Sequence, residues 1–415
     1  MWPRTLHAVV EGCRVLSQQL FGDATNPIPA SWSHVTKIDP EPEKRLPLLF
    51  PVYLDHSSAV SVGGSRGVTP FHTEATFDLL ELADTPAFHE PSAAEHVTAA
   101  TRDAATFLAL PEVLNGDVEA LVGTLGEGIE SIHDDLLPAR LAGTVPSWIL
   151  DRWGDRLQDV LSSWLLSTAV FEAYIIQNPD SAAAREASVT EDDLLSPSEA
   201  RRRAMAAEHH LDSEVVYLEY SGTFGGDEAT EILTELADVT EWARVWYGGG
   251  VRSSEQADAV LAAGADAVVV GDVFHDIAAE EATLARRCAE AVADGDASPA
   301  PTAIREWVRE SRATDDLAAT QYLSTIPTVD SPAELAHRYL TATISLWLWL
   351  ADGPADAPAP WETEPFADLF ADDGESLARC YRAALDDPTT DREEAAAVSL
   401  SITDDAASLA VTDEP

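Results

Sequence analysis

The chain has almost no lysine and little cysteine. Lys37 and Lys44 are the only lysines among 415 residues, and the other basic residues are arginines. The three cysteines are far apart and form no CxxC pair, which excludes a disulfide framework and a thiolate zinc site and predicts reduced thiols in a cytoplasmic protein. The first 20 residues lack the apolar core of a signal peptide. The apolar run at 340–351, about a dozen residues, is too short to span a bilayer and predicts a buried helix.

Basic charge is scarce relative to acidic charge. The chain carries 73 acidic and 25 basic residues, a formal net charge of −48. No basic stripe appears, so the composition argues against a nucleic-acid partner. A folded chain with this balance is typical of a high-salt cytoplasm such as that of a halophilic archaeon, where screening removes most self-repulsion. The hydrophobic fraction of 46% is sufficient for a large core and argues against disorder.

Short apolar runs alternate with amphipathic stretches from about residue 31 onward, which predicts parallel β/α units. The predicted strands are 33–39, 58–63, 85–90, 106–110, 172–177, 214–220, 243–247 and 266–270. The clearest predicted helices are 117–132, 196–211, 227–238, 253–263 and 276–293. Eight strands with interleaved helices predict an α/β fold of the (β/α)₈ TIM-barrel class.

The barrel accounts for only part of the chain. We assign 31–295 to the barrel, with a helical insertion at about 134–170, and 1–30 to an N-terminal helical extension. After a linker, 302–390 is predicted to be an additional C-terminal helical region. The last segment, 391–415, is predicted to be a frayed acidic tail.

Two apolar strands end in small or polar residues that suit anion binding. Gly248 to Gly250 follow the seventh strand, and Gly271 and Asp272 follow the eighth. Glycines allow close approach of backbone N–H groups to an anion, and the helix N-termini after them add positive dipole. Loops after strands seven and eight form the usual phosphate site of such barrels. The alternative is that these glycines only form tight turns.

Four further residues at predicted strand ends can carry chemistry. Glu219 ends the sixth strand, where it could accept a proton from a substrate hydroxyl or act as a structural acid. Lys37 and Asp39 lie on one face at the end of the first strand, where Lys37 could bind phosphate and Asp39 could hold Mg²⁺. Ser65 follows the second strand and offers a hydroxyl to the same metal. A surface salt bridge is the alternative for the Lys37–Asp39 pair.

The chain resembles the geranylgeranylglyceryl phosphate synthase family and its bacterial relatives, the heptaprenylglyceryl phosphate synthases. The resemblance covers about 31–290 apart from the insertion, in family order. It rests on HVTKIDP (34–40), VGGSRGVT (62–69), EPS (90–92), PEVLN (111–115), AYIIQNPDS (173–181), VVYLEYSGTFGG (215–226), WYGGGVRSSEQA (246–257) and VVVGDVF (268–274).

The resemblance implies a Mg²⁺-dependent prenyltransferase that joins sn-glycerol 1-phosphate to a long isoprenyl diphosphate, with geranylgeranyl diphosphate expected, in archaeal membrane lipid synthesis. Glu219 is implied as the base, and Asp39 and Ser65 as the metal ligands. Lys37 and the following residues are implied as substrate contacts: Tyr217, Leu218, Glu219, Tyr220, Ser221, Gly222, Gly249, Gly250, Gly271 and Asp272.

The chain departs from the family at one site position and in its length. The family usually has Asn where Asp272 stands, and an acid beside a phosphate is unfavourable unless the backbone N–H binds the anion. One alternative is therefore a divergent phosphate-binding barrel with a regulatory or scaffold role, and another is a different sugar-phosphate enzyme. A homodimer and a peripheral membrane contact both stay open.

Overall fold

The computed structural model describes residues 26–41, 44–64, 66–137, 145, 147–166, 168–292, 301–311, 317–352, 398–403 and 406–411. Residues 1–25 of the predicted N-terminal extension, Ser65, and residues 353–397 of the predicted C-terminal segments therefore lie outside the described residues. Cys288 is described, and it is buried with no disulfide partner among the described residues.

Eight parallel strands form a barrel, which confirms the predicted fold class. They are β1 His34–Ile38, β2 Ala59–Val62, β3 Ala87–His89, β4 Ala109–Val113, β5 Val170–Ile176, β6 Val215–Glu219, β7 Arg244–Gly248 and β8 Ala267–Val270. The ladders run in the order β3-β2-β1-β8-β7-β6-β5-β4. A single parallel bridge between His89 and Leu108 closes the circle.

The fourth strand is displaced from its predicted range of 106–110. It starts at Ala109 and continues through Pro111, which lies opposite Glu172 of β5. A proline is tolerated in a strand where one side lacks a regular ladder, because its absent N–H then breaks no ladder hydrogen bond. The other side of β4 has only the closing bridge, which explains why the strand extends past the proline.

Helices follow most of the strands and continue beyond the barrel. They are α1 Phe50–Leu54, α2 Pro70–Leu80, α3 Ala99–Ala104, α4 Thr124–Ser131, α5 Ser147–Leu166, α6 Ala182–Glu186, α7 Pro197–Ala206, α8 Gly226–Ala237, α9 Ser254–Ala262, α10 Asp272–Val292, α11 Pro301–Ser311, α12 Ala318–Ser324 and α13 Pro332–Asp352. The predicted insertion contains α5, and the predicted C-terminal helical region contains α11 to α13. Among the described residues, no helix is long and apolar enough to cross a membrane.

Aromatic side chains fill the lower part of the barrel interior. Trp32, just before β1, stacks at 6.2 Å on Phe88 and on Phe107. Phe88 and Phe107 stack at 4.8 Å, and Trp246 of β7 lies 5.9 Å from Phe88. Strand residues alternate between the two faces of the barrel wall. The inward positions in the lower part are therefore apolar, and the charged side chains collect at the carboxyl ends of the strands, which we call the mouth of the barrel.

The C-terminal helices pack on the outer face of β1. The Thr36 and Tyr322 hydroxyls lie 2.7 Å apart, and His34 Nε2 lies 3.1 Å from the Thr325 hydroxyl. Burial lowers the pKa of His34 to about 3, so this imidazole is neutral. Tyr339 of α13 is fully buried and reaches His56 at 2.8 Å. The polar outer face of β1 is therefore satisfied partly by Ser57 and partly by residues more than 280 positions away.

The prediction of a frayed tail at 391–415 is wrong for part of that segment. Val398–Thr403 and Ala406–Val411 form an antiparallel hairpin, and the first of these strands also pairs with Arg45–Leu46. The first of these strands, VSLSIT, alternates apolar and small polar residues, the period-two pattern of a strand. The acidic residues around them masked that pattern.

Candidate active site

Two adjoining pockets occupy the carboxyl ends of the barrel strands. The smaller, of about 110 Å³, is bordered by Gly248 to Gly250 and Gly271, and we call it the cradle pocket. The larger, of about 530 Å³, includes Glu90, Tyr174 and Arg185, and we call it the wide pocket. Both are lined by the following residues: Lys37, Asp39, Glu219, Ser221, Gly222 and Asp272. The structure thus brings together most of the residues predicted from the sequence.

The cradle pocket is shaped by backbone at the ends of β7 and β8. Gly250 has a φ of +54°, and a Cβ there would lie 2.6 Å from the backbone carbon of Thr223. Only glycine fits this conformation and this close approach. The helix α10 begins directly after Gly271, and α9 begins at Ser254, so two helix N-termini follow the cradle glycines. Together these features make an anion site.

Lys37 and Glu90 form a half-buried ion pair on the opposite wall. Lys37 Nζ donates to Glu90 Oε1 at 2.9 Å. Glu90 also accepts from the Tyr174 hydroxyl at 2.6 Å and from Ser61 at 2.8 Å. Burial acts to lower the pKa of Lys37, but the carboxylates of Glu90, Glu219 and Asp39 raise it well above its ordinary value. Lys37 is therefore a permanent cation facing both pockets.

Glu219 lies between the two walls with a pKa raised above its ordinary value. Its side chain is only 5% exposed, and burial is the main cause of the raised pKa. The Lys37 charge and hydrogen bonds from Ser221 and Tyr217 partly oppose that effect. Ser221 donates its hydroxyl proton to Glu219 Oε1. A carboxylate with a raised pKa is a stronger base, which suits proton removal from a hydroxyl.

A second buried glutamate, Glu172, lies in the barrel interior near Glu90 and was not predicted as a site residue. Glu172 of β5 is 1% exposed, and neither carboxyl oxygen has a hydrogen-bond partner among the described residues. Burial raises its pKa well above the ordinary value, the charges of Glu90 and Glu219 add to this, and Lys37 opposes it. Glu172 is therefore a neutral acid, since two further carboxylates nearby disfavour a third charge.

Asp39 lies where the chain leaves β1, and a histidine of α10 fixes its backbone. The Asp39 N–H donates to His275 Nε2 at 3.2 Å, and His275 Nδ1 donates to the Arg45 carbonyl at 2.9 Å. Lys44 Nζ lies 3.5 Å from Asp39 Oδ2 and 3.2 Å from Asp272 Oδ1. The acid that replaces the family's asparagine therefore has a lysine beside it.

Not every predicted substrate contact turns its side chain toward the mouth. Leu218 and Tyr220 belong to the apolar layer between barrel and helices, so only their backbone atoms are candidates for a ligand contact. No group of three or more His, Cys, Asp or Glu that could hold a metal occurs in the described ranges. Asp39 lies at the mouth, and Ser65, the other predicted metal ligand, lies outside the described residues.

Glu90, Tyr174 and Lys44 are the site residues that the sequence argument overlooked. The residue types gave a signal: Glu90 directly follows the third strand, and Lys44 is one of only two lysines. Tyr174 lies mid-strand, where the sequence alone does not distinguish a core tyrosine from one that donates to a carboxylate.

A family model described as the PcrB family matches residues 29–287. The chain belongs to the PcrB family. The matched segment contains all eight barrel strands and both pockets, and it ends within α10. The helices α11 to α13 and the C-terminal hairpin lie beyond it.

The relatives to which the chain is similar carry two different names. The chain is 33% identical over 255 residues to a protein of Natronomonas pharaonis named geranylgeranylglyceryl phosphate synthase, covering 60% of this chain and 92% of that protein. It is 29% identical over 252 residues to one of Bacillus cereus named heptaprenylglyceryl phosphate synthase, again covering 60% and 92%. A solved synthase from Thermoplasma acidophilum in complex with sn-glycerol-1-phosphate gives a TM-score of 0.42 at 18% identity, over 59% of this chain and 87% of that one.

Proposed function

We propose that this chain is a prenyltransferase that joins sn-glycerol 1-phosphate to a long-chain isoprenyl diphosphate in membrane lipid synthesis. Membership of the PcrB family and the names of its relatives support prenyl transfer to a glycerol phosphate. The C20 geranylgeranyl group is the donor that we propose, since the archaeal relative carries that name.

The placement of Glu219 is the observation that carries the proposal. Its carboxyl group lines both the cradle pocket and the wide pocket, so it can reach a hydroxyl of a molecule whose phosphate lies against Gly250 and Gly271. The second pocket provides room for a diphosphate on the other side of the same carboxylate. A base between two anion pockets is what a reaction between two phosphorylated substrates requires.

The proposed reaction forms one bond and breaks one, and a residue at the mouth accepts the released proton. The glycerol C3 oxygen attacks the allylic carbon, and the bond between that carbon and the diphosphate oxygen breaks. The electron pair leaves with the diphosphate, and the hydroxyl proton passes to Glu219. Lys37 holds phosphate charge in a partly buried site, where its attraction is stronger than in water. Holding the two substrates in line supplies much of the rate.

We also propose that the reaction depends on Mg²⁺. Asp39 offers one carboxylate at the border of both pockets, and Mg²⁺ in such sites commonly takes one or two carboxylates plus substrate phosphate oxygens. Asp39 therefore fits this ion, and Ser65 is kept as a second proposed ligand from the sequence argument. The ion would supply charge stabilisation to the departing diphosphate.

An apolar cavity beside the wide pocket fits the prenyl tail. Its volume is about 220 Å³, and it shares Pro91 and Pro111 with the wide pocket. Phe107, Leu110 and Leu166 contribute to its apolar lining. A hydrocarbon chain leaving a diphosphate in the wide pocket would gain about 25 cal/mol for each Å² of apolar surface buried there.

We also propose a cytoplasmic location in high salt, a homodimer and a peripheral membrane contact. The acidic composition supports the first, with 73 acidic against 25 basic residues. The lipid product supports a contact with a membrane surface, although strong negative charge disfavours anionic headgroups.

The test is a radiolabelled assay in molar KCl with sn-glycerol 1-phosphate, geranylgeranyl diphosphate and Mg²⁺. We expect ether product from the wild type and a loss of about 100- to 10,000-fold in Glu219→Gln, the usual contribution of a general base. Glu281→Gln is the matched control, because burial raises the pKa of Glu281 to about 8 and it borders neither pocket. Its activity should stay near that of the wild type.

Two outcomes would contradict the proposal. Binding of glycerol 1-phosphate without any ether product would favour a phosphate-binding barrel with a regulatory role. No binding of glycerol 1-phosphate at all would leave only the fold.

A further inference from the structure

The ammonium group of Lys44 lies at the border between the two pockets. It is 3.2 Å from Asp272 and 3.5 Å from Asp39, and both acids line the cradle pocket and the wide pocket. Lys44 itself lines the wide pocket, with a side chain that is 28% exposed. An anion entering the wide pocket can therefore reach this cation without displacing any apolar residue.

The use of lysine in this chain singles out the same position. The chain places arginine at every other basic position, yet its two lysines, Lys37 and Lys44, both lie at the mouth. Lysine is a compact point charge on a flexible stem, whereas arginine presents a planar fork. Retaining lysine at these two positions fits phosphate contacts made by a point charge in a narrow space.

The charges around the cradle pocket also require a further cation. Its lining contains three carboxylates, Asp39, Glu219 and Asp272, against two cations, Lys37 and Arg252. An excess of negative charge opposes binding of a phosphate. Lys44 restores the balance, because it lies beside two of the three acids.

We propose that Lys44 binds the diphosphate of the prenyl donor directly, and that Asp272 holds the Lys44 ammonium at the border of the two pockets. The inference deepens the proposed function and rests on it for the identity of the donor. Lys44 donates to a diphosphate oxygen in the wide pocket, while Asp272 keeps its charge close to the phosphate in the cradle pocket. The acid at position 272 is then part of a pair rather than an isolated repulsive charge.

The test measures binding of inorganic pyrophosphate by calorimetry, in molar KCl without divalent metal. We expect Lys44→Met to weaken binding about 10-fold, the effect of losing a charged hydrogen bond. Asp272→Asn should bind as well as the wild type or better, because the amide oxygen of the new side chain can still accept from Lys44 while a negative charge is removed. Lys44→Arg should recover only part of the affinity, because arginine keeps the positive charge but replaces the compact ammonium group with a planar fork. Thermal melts establish that each variant is folded.

The double variant Lys44→Met with Asp272→Asn separates direct contact from charge neutralisation. If Lys44 contacts the diphosphate, the double variant stays clearly weaker than Asp272→Asn alone. Equal affinity of these two proteins would overturn the inference, and so would an unchanged affinity in Lys44→Met. Arg201→Met is the charge control, since Arg201 pairs with Glu235 and Asp238 away from the mouth. It should leave pyrophosphate binding unaltered.

Pyrophosphate binding needs no catalysis, so the two proposals can fail separately. Ether synthesis by the wild type together with Lys44-independent pyrophosphate binding would retain the proposed function and remove this inference. Lys44-dependent binding in a protein that makes no ether would do the reverse.

Discussion

The two sides of the barrel mouth bind anions by different means. The side built from β6 to β8 presents backbone, with Gly250 at a φ of +54° and α10 beginning just after Gly271. The side built from β1 to β3 presents charged side chains, with Lys37 and Glu90 in a half-buried pair. The first is fixed by local conformation, whereas the second depends on contacts between distant parts of the chain.

This difference predicts how each side can be damaged. A backbone site fails when a side chain is added, because the added atoms occupy the space of the anion or strain the loop. A charged site fails when a charge is removed, because the remaining partner loses its orientation and its neighbours change their pKa values.

Among the changes that compare the two sides of the mouth, the largest effect on substrate binding is expected from Gly250→Ala. The new Cβ would meet the Thr223 backbone at 2.6 Å in a conformation that L residues rarely adopt. We expect sn-glycerol 1-phosphate affinity to fall about 100-fold, measured by calorimetry. Gly154→Ala in α5 is the control, since nothing lies within 4 Å of its added Cβ. An unaffected Gly250→Ala protein would mean that the cradle does not bind the phosphate.

A smaller but more informative effect is expected from Glu90→Gln on the charged side. Lys37 loses its ionic partner, so we expect kcat/KM to fall about 10-fold. The Glu90 charge also raises the pKa of Glu219. The acidic limb of the pH profile, where activity is lost as pH falls and Glu219 is protonated, should therefore move to lower pH. A limb that does not move would show that Glu219 is not the titrating base.

The buried acid Glu172 gives a prediction about stability. Its pKa in the folded protein is raised above the ordinary 4.5, so its contribution is complete below that pH and is lost as pH rises through the folded pKa. Glu172→Gln removes this loss. We expect its melting temperature to match that of the wild type at pH 4 and to exceed it by about 2 °C or more at pH 8. Equal melting temperatures at both pH values would contradict the raised pKa.

The smallest effect is expected from Gln321→Ala in α12. Arg252 follows the cradle glycines, and its guanidinium donates to Gln321 at 3.2 Å and to Asp276 at 2.6 Å. Loss of the exposed contact with Gln321 should raise the KM for glycerol phosphate about 2-fold with kcat unchanged. A larger change would show that the C-terminal helices position Arg252 for the reaction.

The backbone side of the mouth could be predicted from sequence far better than the charged side. Runs such as 245–253 combine an apolar strand, consecutive glycines and a capped helix, so each local signal indicates the same structure. The Lys37–Glu90–Tyr174 group joins three strands, and no local pattern reports which side chains meet there. Lys44 was visible only as a rare residue type, since its partner Asp272 lies 228 positions away.

The docking of α12 and α13 on β1 has a consequence for where the protein can be cut. The similarity to relatives ends at residue 287, inside α10, yet Tyr322 and Tyr339 are part of the same apolar cluster as the outer faces of the barrel strands. A fragment ending at 287 would keep every residue of the mouth while exposing Thr36 and His34 and removing their contacts with Tyr322 and Thr325. The segment that the family model matches is therefore shorter than the segment that shares this apolar cluster.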